Sequence, residues 1–361
     1  MSQTERLAQP KTEAKPGVPP RRGRARRLLT VLLGLFVGLL ILGIWLYVVG
    51  VDEILGTLRT VAPAPALLAT LAWVLAMGLR SYKWHVILTA TRALPLATTG
   101  RVYWASSFLN MVFPFRVGEL ARSLFLKRLE GMPIAASLPS VLIDRLYSIA
   151  VILLGLLFLP LTAFGQKSTD LSLSSLKWGL GILAGGFLSV LMLIFVLRNQ
   201  KPALLRLSRR LLFLLPDRWQ ERLLGFLDAL IDGMCLVRSD PASILGLLAW
   251  SVAVLWADAL KDLLILRAFG LRVPLTTCFM AVCLTNLAFI LPSPPGNIGS
   301  SEWYATLVYA TGFGLDAARV AGGALFGHAM TALVVAAGGA LALSTLGLNL
   351  AEGLRLAEEE A

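Results

Sequence analysis

The sequence predicts an all-α polytopic membrane protein: about six full transmembrane helices plus two re-entrant or broken helical hairpins, eight spans if both hairpins cross, with an inverted repeat relating the halves. Three observations predict this. The 361 residues are 57% hydrophobic and 15% charged, with mean hydropathy +0.76, a composition outside the soluble globular range. The formal net charge of +12 is concentrated in two stretches, with eight Lys/Arg in residues 1–27 and eight more in 198–240. That is the asymmetry of cytoplasmic loops attracted to anionic headgroups, not a nucleic-acid-binding face. Finally, two polar, Pro/Gly-containing segments interrupt the apolar pattern: 110–122 (NMVFPFRVGELAR) and 286–302 (NLAFILPSPPGNIGSSE).

The elements follow in order. Residues 1–27, rich in Pro, Arg and Lys, form a disordered cytoplasmic arm. Residues 28–50 are apolar for 23 positions, enough at ~1.5 Å per residue to cross a hydrocarbon core of about 30 Å, and are read as a retained first span rather than a cleaved signal. Residues 51–61 read as a short amphipathic helix on the outer surface. Pro63 and Pro65 open a second span over 64–88, with Arg80 and Lys83 near its inner end, able to snorkel to headgroups. Residues 99–131 read as a helix–break–helix hairpin entering from the cytoplasm. Residues 134–161 span, 166–175 form an outer loop, and 176–197 return. The amphipathic stretch 198–240 lies on the inner leaflet. Residues 242–269 span outward, 276–311 form the second broken hairpin, and 316–346 form a last span whose Gly/Ala runs suit close helix packing. An acidic cytoplasmic tail, 347–361, ends the chain, so both termini are predicted inside.

The broken segments are expensive to place in lipid. A mid-bilayer Arg or Asp costs about 2.5–3.5 kcal/mol on insertion scales. Backbone freed by Pro and Gly survives at membrane depth beside protein or a watery cavity. Opposed re-entrant elements in corresponding halves point to a transporter with its site between them.

Three cysteines (Cys235, Cys278, Cys283) form no CxxC pair and just two histidines occur (His85, His328), so a zinc site and other cofactors are not expected. Arg116 and Arg122 have the chemistry to bind phosphate through a planar, permanently charged fork. Their alternative is to neutralise Glu119 or to sit at the inner interface. Glu119 and Glu302 each stand where a second half-helix begins, a place that favours carboxylates; a desolvated one there would also be placed to couple movement to protons. Asp144–Arg145 is read as a salt-bridging pair, with Glu119, Arg80 or Lys83 as partners. Asp258, Lys261 and Asp262 share a helix face as a local ion cluster. Asn110 and Asn286 precede the breaks and suit capping or a headgroup hydroxyl. Trp84, Tyr103, Trp104, Trp303 and Tyr304 are read as interfacial anchors.

The ordered set Arg80…Trp84, Asn110-x3-Pro114-x-Arg116-x-Gly118-Glu119-x2-Arg122, Asp144-Arg145, Leu291-Pro292-x-Pro294-x-Gly296-x2-Gly299-x2-Glu302 resembles the transmembrane, flippase-like domain of the lysylphosphatidylglycerol synthases, over nearly the whole chain. The resemblance implies a lipid-translocating domain in a bacterial or archaeal cytoplasmic membrane. It does not carry the synthase activity of the soluble domain that follows in bifunctional members. Two departures bear on specificity: SPPGN at 293–297 replaces a Pro-Gly-Gly type turn, and His328 stands where an arginine is common. The sequence therefore predicts a non-enzymatic flippase for an anionic lipid, either an aminoacyl-phospholipid or a polyprenyl-phosphate-linked glycolipid, bound through Arg116, Arg122, Glu119, Asn110, Arg145, Arg80, Asn286, Glu302, Gly118, Gly296 and Gly299. Its expected partners are that lipid, membrane phospholipids and a separate synthase or glycosyltransferase. The alternatives are a membrane-embedded headgroup transferase and a non-transporting partner of a synthase.

Overall fold

The computed structural model describes residues 21–113, 117–159, 200–212, 241–289 and 293–347, with isolated helical positions between 181 and 231. All regular structure among them is helical. The expected return span 176–197, most of the basic stretch 198–240, the arm up to residue 20 and the tail from 348 lie outside the described residues in whole or large part.

Helix α1 (Arg21–Val49) and α2 (Val51–Leu58) are bent by 86° at Gly50, whose φ of 95° is a conformation that side chains resist. Helix α3 (Pro63–Thr89) starts on a proline at its first turn, where a missing N–H costs nothing. Helix α4 (Leu96–Val112) stops because Phe113 precedes Pro114; its φ of −105° and ψ of 143° are the extended values that a following proline imposes. Helix α5 (Val117–Glu130) carries Glu119 in its first turn and Lys127 and Arg128 in its last, both complementing the helix dipole. Gly131, at φ 64°, ends it, and α6 (Ile134–Leu156) follows Pro133.

After the short amphipathic α7 (Lys201–Leu211), the second half repeats the plan: α8 (Pro241–Ala268), then α9 (Leu275–Ala288). A tight turn (Pro295–Asn297) with Gly296 at φ 64° leads through Gly299 at φ 78° into α10 (Ser300–Ala305). That helix widens into a π-helical turn (Thr306–Gly312), and α11 (Ala317–Thr345) starts on Asp316, which caps the Arg319 N–H at 2.9 Å.

Among the described residues four helices (α3, α6, α8, α11) are long and apolar enough to cross a membrane, and the bent α1–α2 pair makes a fifth. Their exposed faces carry Leu67, Leu71, Leu75, Leu245, Leu333 and Leu341, as a helix surrounded by lipid should.

Helix α3 packs most extensively on α8. Around that pair, α4 packs on α11 and α9 on α6, while α5 meets α6 as α10 meets α11. Exchanging α3 with α8, α4 with α9, α5 with α10 and its π turn, and α6 with α11 preserves the list of neighbours. The two largest apolar cores exchange in the same way. One joins α6, α8, α9 and the π turn through residues such as Leu156, Leu263, Cys283 and Tyr309; the other joins α11, α3, α4 and α5 through Leu343, Trp84, Leu109 and Phe125.

The turn at Gly296 packs against the last turn of α4, at the carbonyl of Met111. Trp104 and Phe108 of α4 lie on Gly338 and Gly339, and Ile265 and Phe269 lie on Gly322, Gly323 and Gly327, so α11 uses its glycines for close packing as its Gly/Ala runs predict. Helix α1 braces the second hairpin: a Cβ on Gly299 would strike the backbone of Gly38 and Leu42, and Trp45 donates its indole N–H to Thr306 Oγ1 at 3.0 Å.

Candidate functional site

Helices α3, α5, α6 and α8 bring seven charged side chains together. Lys83, 2% exposed, contacts Asp144 Oδ1 at 2.7 Å and donates to Ser148 Oγ at 2.8 Å. Arg122, 3% exposed, lies 3.6 Å from Asp144 Oδ2, donates to Ser106 Oγ at 3.1 Å and stacks over the Tyr103 ring at 4.1 Å. Arg145 grips Glu119 with two arms, Nε to Oε2 at 2.9 Å and Nη2 to Oε1. Arg80 Nη2 pairs with Asp258 Oδ2. Among the described residues this cluster sets Arg80, Lys83, Arg122 and Arg145 against Glu119, Asp144 and Asp258, an excess of one positive charge. Charges so removed from water require partners, because an uncompensated one costs several kcal/mol.

A cavity of about 110 Å³ opens beside the cluster, lined by Arg80, Arg145, Ser148, Ser251, Asp258 and Asn286 among others. Arg80 Nη1 and Asp258 Oδ1, the atoms not used in their mutual ion pair, are buried without a hydrogen-bond partner. Buried polar atoms normally find one, so two residues bordering the cavity keep an unused donor and an unused acceptor.

The second half builds a related cluster with different charge. Glu302, 2% exposed, meets His328 Nδ1 at 2.5 Å and accepts from Ser301 Oγ at 3.1 Å, while His328 Nε2 donates to the Gly296 carbonyl at 2.8 Å. Lys261 pairs with Asp262 at 2.8 Å, and Tyr309 donates its hydroxyl to Asp262 at 2.8 Å. Beside these lies a cavity of about 250 Å³, bordered by Trp73, Lys261, Asp262, Ser301, Tyr309 and His328. Trp73, on the wall of this larger cavity, has the Arg80 guanidinium 5.2 Å and the Lys261 ammonium 5.3 Å from its ring centre.

The clusters occupy matching places in their helices. Arg80 stands seventeen positions after the first residue of α3 and Asp258 seventeen after that of α8; Lys83 and Lys261 both stand twenty after. Arg145 and His328 each follow the first residue of α6 or α11 by eleven. Glu119 and Glu302 are the third residues of α5 and α10, and Asn110 and Asn286 each stand two before the end of α4 or α9.

Of the residues singled out in the sequence, the structure brings Arg80, Glu119, Arg122 and Arg145 into one network, and Arg80, Arg145 and Asn286 onto one cavity wall. Arg116 lies outside the described residues, as do Pro114, Leu291 and Pro292. Arg122 is enclosed by protein and lines neither cavity, which follows from its aromatic and serine contacts. Asn110 places its Oδ1, buried and without a hydrogen-bond partner, against Gly118, where a Cβ would strike the Ser106 carbonyl. Asn286 turns its amide back onto the Val282 carbonyl at 2.8 Å. Glu302, Gly296 and Gly299 shape the second cluster from behind, and His328 lies between it and the larger cavity.

Some expectations are corrected. Arg80 and Lys83 do not snorkel to an interface, because carboxylates on α6 and α8 hold them inside the bundle. Asp258 pairs across to Arg80, leaving Lys261 to Asp262. Trp84 is no interfacial anchor: it is fully buried and donates to Ser140 Oγ at 3.0 Å. Sequence reasoning missed Trp73, Tyr309 and Ser301 as cavity residues. Lys83 and Lys261 were detectable by their equal offsets within two helices that both start on proline.

Fold and site together define a multi-pass helical membrane protein with a charged, partly unsatisfied cavity inside its bundle. The chain belongs to the family described as "Lysylphosphatidylglycerol synthase TM region", which matches residues 31–339. It is similar to a protein named "Glycosyltransferase AglD" from Haloferax volcanii, at 24% identity over 357 residues covering 91% of this chain. The chain spans 56% of that relative's length. No solved structure matches.

Proposed function

We propose that this protein is a flippase for an anionic lipid, holding the lipid phosphate in the cavity between Arg80, Arg145 and Asn286 while its tails stay in the bilayer. The observation that carries this reading is Arg80, which borders the cavity and keeps its buried Nη1 donor without a hydrogen-bond partner, in a cluster whose described members carry one excess positive charge. Arginine is suited to phosphate because its planar fork presents two donors to two oxygens. Arg116, in the first break, would join it there. Arg122 and Glu119 would position the cluster rather than touch the ligand.

The preserved list of neighbours supports an inverted repeat in which the two broken hairpins are re-entrant, one from each side, and meet at their tips. Alternating access would then come from rocking one half against the other about the α3–α8 pair. In this reading the protein sits in the cytoplasmic membrane with both termini inside, the region 28–346 is the translocating unit, and 198–240 lies along the inner leaflet. It is not itself an enzyme, and a separate synthase or glycosyltransferase supplies its lipid. The similarity to a protein named a glycosyltransferase favours a second reading, a membrane-embedded transferase acting on a lipid headgroup; formation of a headgroup-modified lipid by the purified protein would select it.

The test is leaflet exchange of a fluorescent polyprenyl phosphate in proteoliposomes. Wild type is expected to accelerate exchange over empty vesicles. Arg80→Lys keeps the charge facing Asp258 but loses the fork, and is expected to lower the rate about tenfold at an unchanged melting temperature. No acceleration by wild type, or a full rate in Arg80→Lys, refutes the reading.

A further inference from the structure

We propose that the larger cavity is a second binding site, for the neutral, hydroxyl-rich part of the same lipid's headgroup, a sugar ring or similar polyol. This rests on the reading that the smaller cavity takes the lipid phosphate.

The first argument is the lining. Trp73 borders the cavity and keeps its Nε1 donor buried with no hydrogen-bond partner. Around it stand the Ser301 and Thr331 hydroxyls, the Asp262 carboxylate and the Tyr309 phenol. This mixture of donors and acceptors is what a polyol needs, since each of its hydroxyls both gives and accepts hydrogen bonds. An acyl chain in the same space would offer the Trp73 N–H no acceptor.

Charge is the second argument. Lys261 and Asp262 on the wall neutralise each other at 2.8 Å, and the negative charge of Glu302 is held behind the wall by His328 and Ser301. A second phosphate therefore finds no unpaired guanidinium donor of the kind that Arg80 Nη1 provides next door. An ammonium group, as on an aminoacyl lipid, meets the Lys261 ammonium and no unpaired carboxylate. A neutral group is what remains.

Position is the third. Lys261 and Asp262 lie one turn along α8 from Asp258, a step of about 5.4 Å. Thr285 borders the larger cavity and Asn286 the smaller. Trp73 borders the larger cavity and carries over its ring Arg80, which borders the smaller one. A phosphate in the smaller cavity places its ester substituent directly at the larger one. Asp258 Oδ1, the unused acceptor beside Arg80, would take a hydroxyl of that substituent.

The experiment measures binding to the full chain in phosphatidylcholine nanodiscs, using native mass spectrometry and three probes: a polyprenyl phosphate, the same lipid carrying one hexose on its phosphate, and lysyl-phosphatidylglycerol. The hexosyl lipid is expected to bind about tenfold tighter than the bare phosphate. Trp73→Phe, which keeps the ring and removes the N–H, and Thr331→Val are each expected to reduce that advantage to about twofold or less without weakening the bare phosphate. Equal binding of the two polyprenyl lipids, an advantage untouched by both variants, or tighter binding of the lysyl lipid overturns the proposal. Arg80→Lys separates it from the reading beneath: if it weakens the bare phosphate while the hexose gives no advantage, the phosphate site stands and the polyol site falls. If it leaves every probe unchanged, the phosphate site itself is wrong.

Discussion

Glu119 and Glu302 hold the same place in their hairpins, third in the half-helix after a break, yet the first is gripped by Arg145 and the second by His328. The surrounding groups differ in the same sense. Beside Glu119 the network gathers four cations and three carboxylates; beside Glu302 the cavity wall is close to neutral. The close approaches differ too. Gly118 lets α5 press on α4 within its own hairpin, whereas Gly299 lets its hairpin press on α1. One backbone plan thus carries two side-chain arrangements, an ion-pair network and a nearly neutral hydrogen-bonded cluster, both along the α3–α8 pair. The difference teaches that the helix positions are shared by the halves and that the charge of each cluster is set by the residues that occupy them.

Substitutions in both halves probe that contrast, in decreasing order of expected effect. Asp144→Ala removes the carboxylate that faces both Lys83 and Arg122 and leaves two buried cations without it. A loss of about 3–5 kcal/mol is expected, read as a large drop in the thermal midpoint of the purified protein, with Lys83→Met in the same chain restoring part of it. The position matching Asp144 in α11 is Gly327, so the second half carries no equivalent weak point. A midpoint unmoved by Asp144→Ala would show the network to be dispensable.

Gly118→Ala places a methyl group on the Ser106 carbonyl, a backbone atom that cannot step aside. Overpacking of about 1–3 kcal/mol is expected, with the α4–α5 contact opening first in hydrogen exchange. Gly299→Ala should instead loosen α1 from its hairpin, and the same exchange pattern in both variants would break the distinction drawn between them.

His328→Arg gives the second half the cation of the first. It keeps a partner for Glu302, so stability is expected to change by less than about 1 kcal/mol. The larger cavity becomes positive, and inorganic phosphate is expected to bind a few-fold tighter. Unchanged phosphate affinity would mean that the neutral character of this cavity does not depend on residue 328.

Much of this was legible in the residues. The breaks at Pro114 and around Gly296 are forced by local chemistry, and Phe113 shows the extended backbone that a following proline imposes. Glu119 at a helix start and its pairing with Arg145 follow from the dipole and from adjacency on α6. What could not be read was partnership across the bundle. Arg80, near the polar end of its span, looks the same in sequence whether it reaches headgroups or Asp258, 178 positions away. Trp84 likewise has the composition of an interfacial anchor, and burial between α5 and α6 is a tertiary outcome. Trp73 gave no signal, because a tryptophan in an apolar run is ordinary and its unsatisfied N–H appears only when the cavity is formed.

The brace formed by α1 has a consequence for how the protein is made. Trp45 and its partner Thr306 are separated by 261 positions, so α1 leaves the ribosome long before its contact exists. Until then the small face at Gly38 is without its native neighbour and is open to wrong helix pairings in the membrane. Biogenesis factors that hold an early helix aside would matter more for this protein than for a bundle of sequential neighbours. Lesions at Gly38 or Gly299 should accordingly appear first as poor yield in cells.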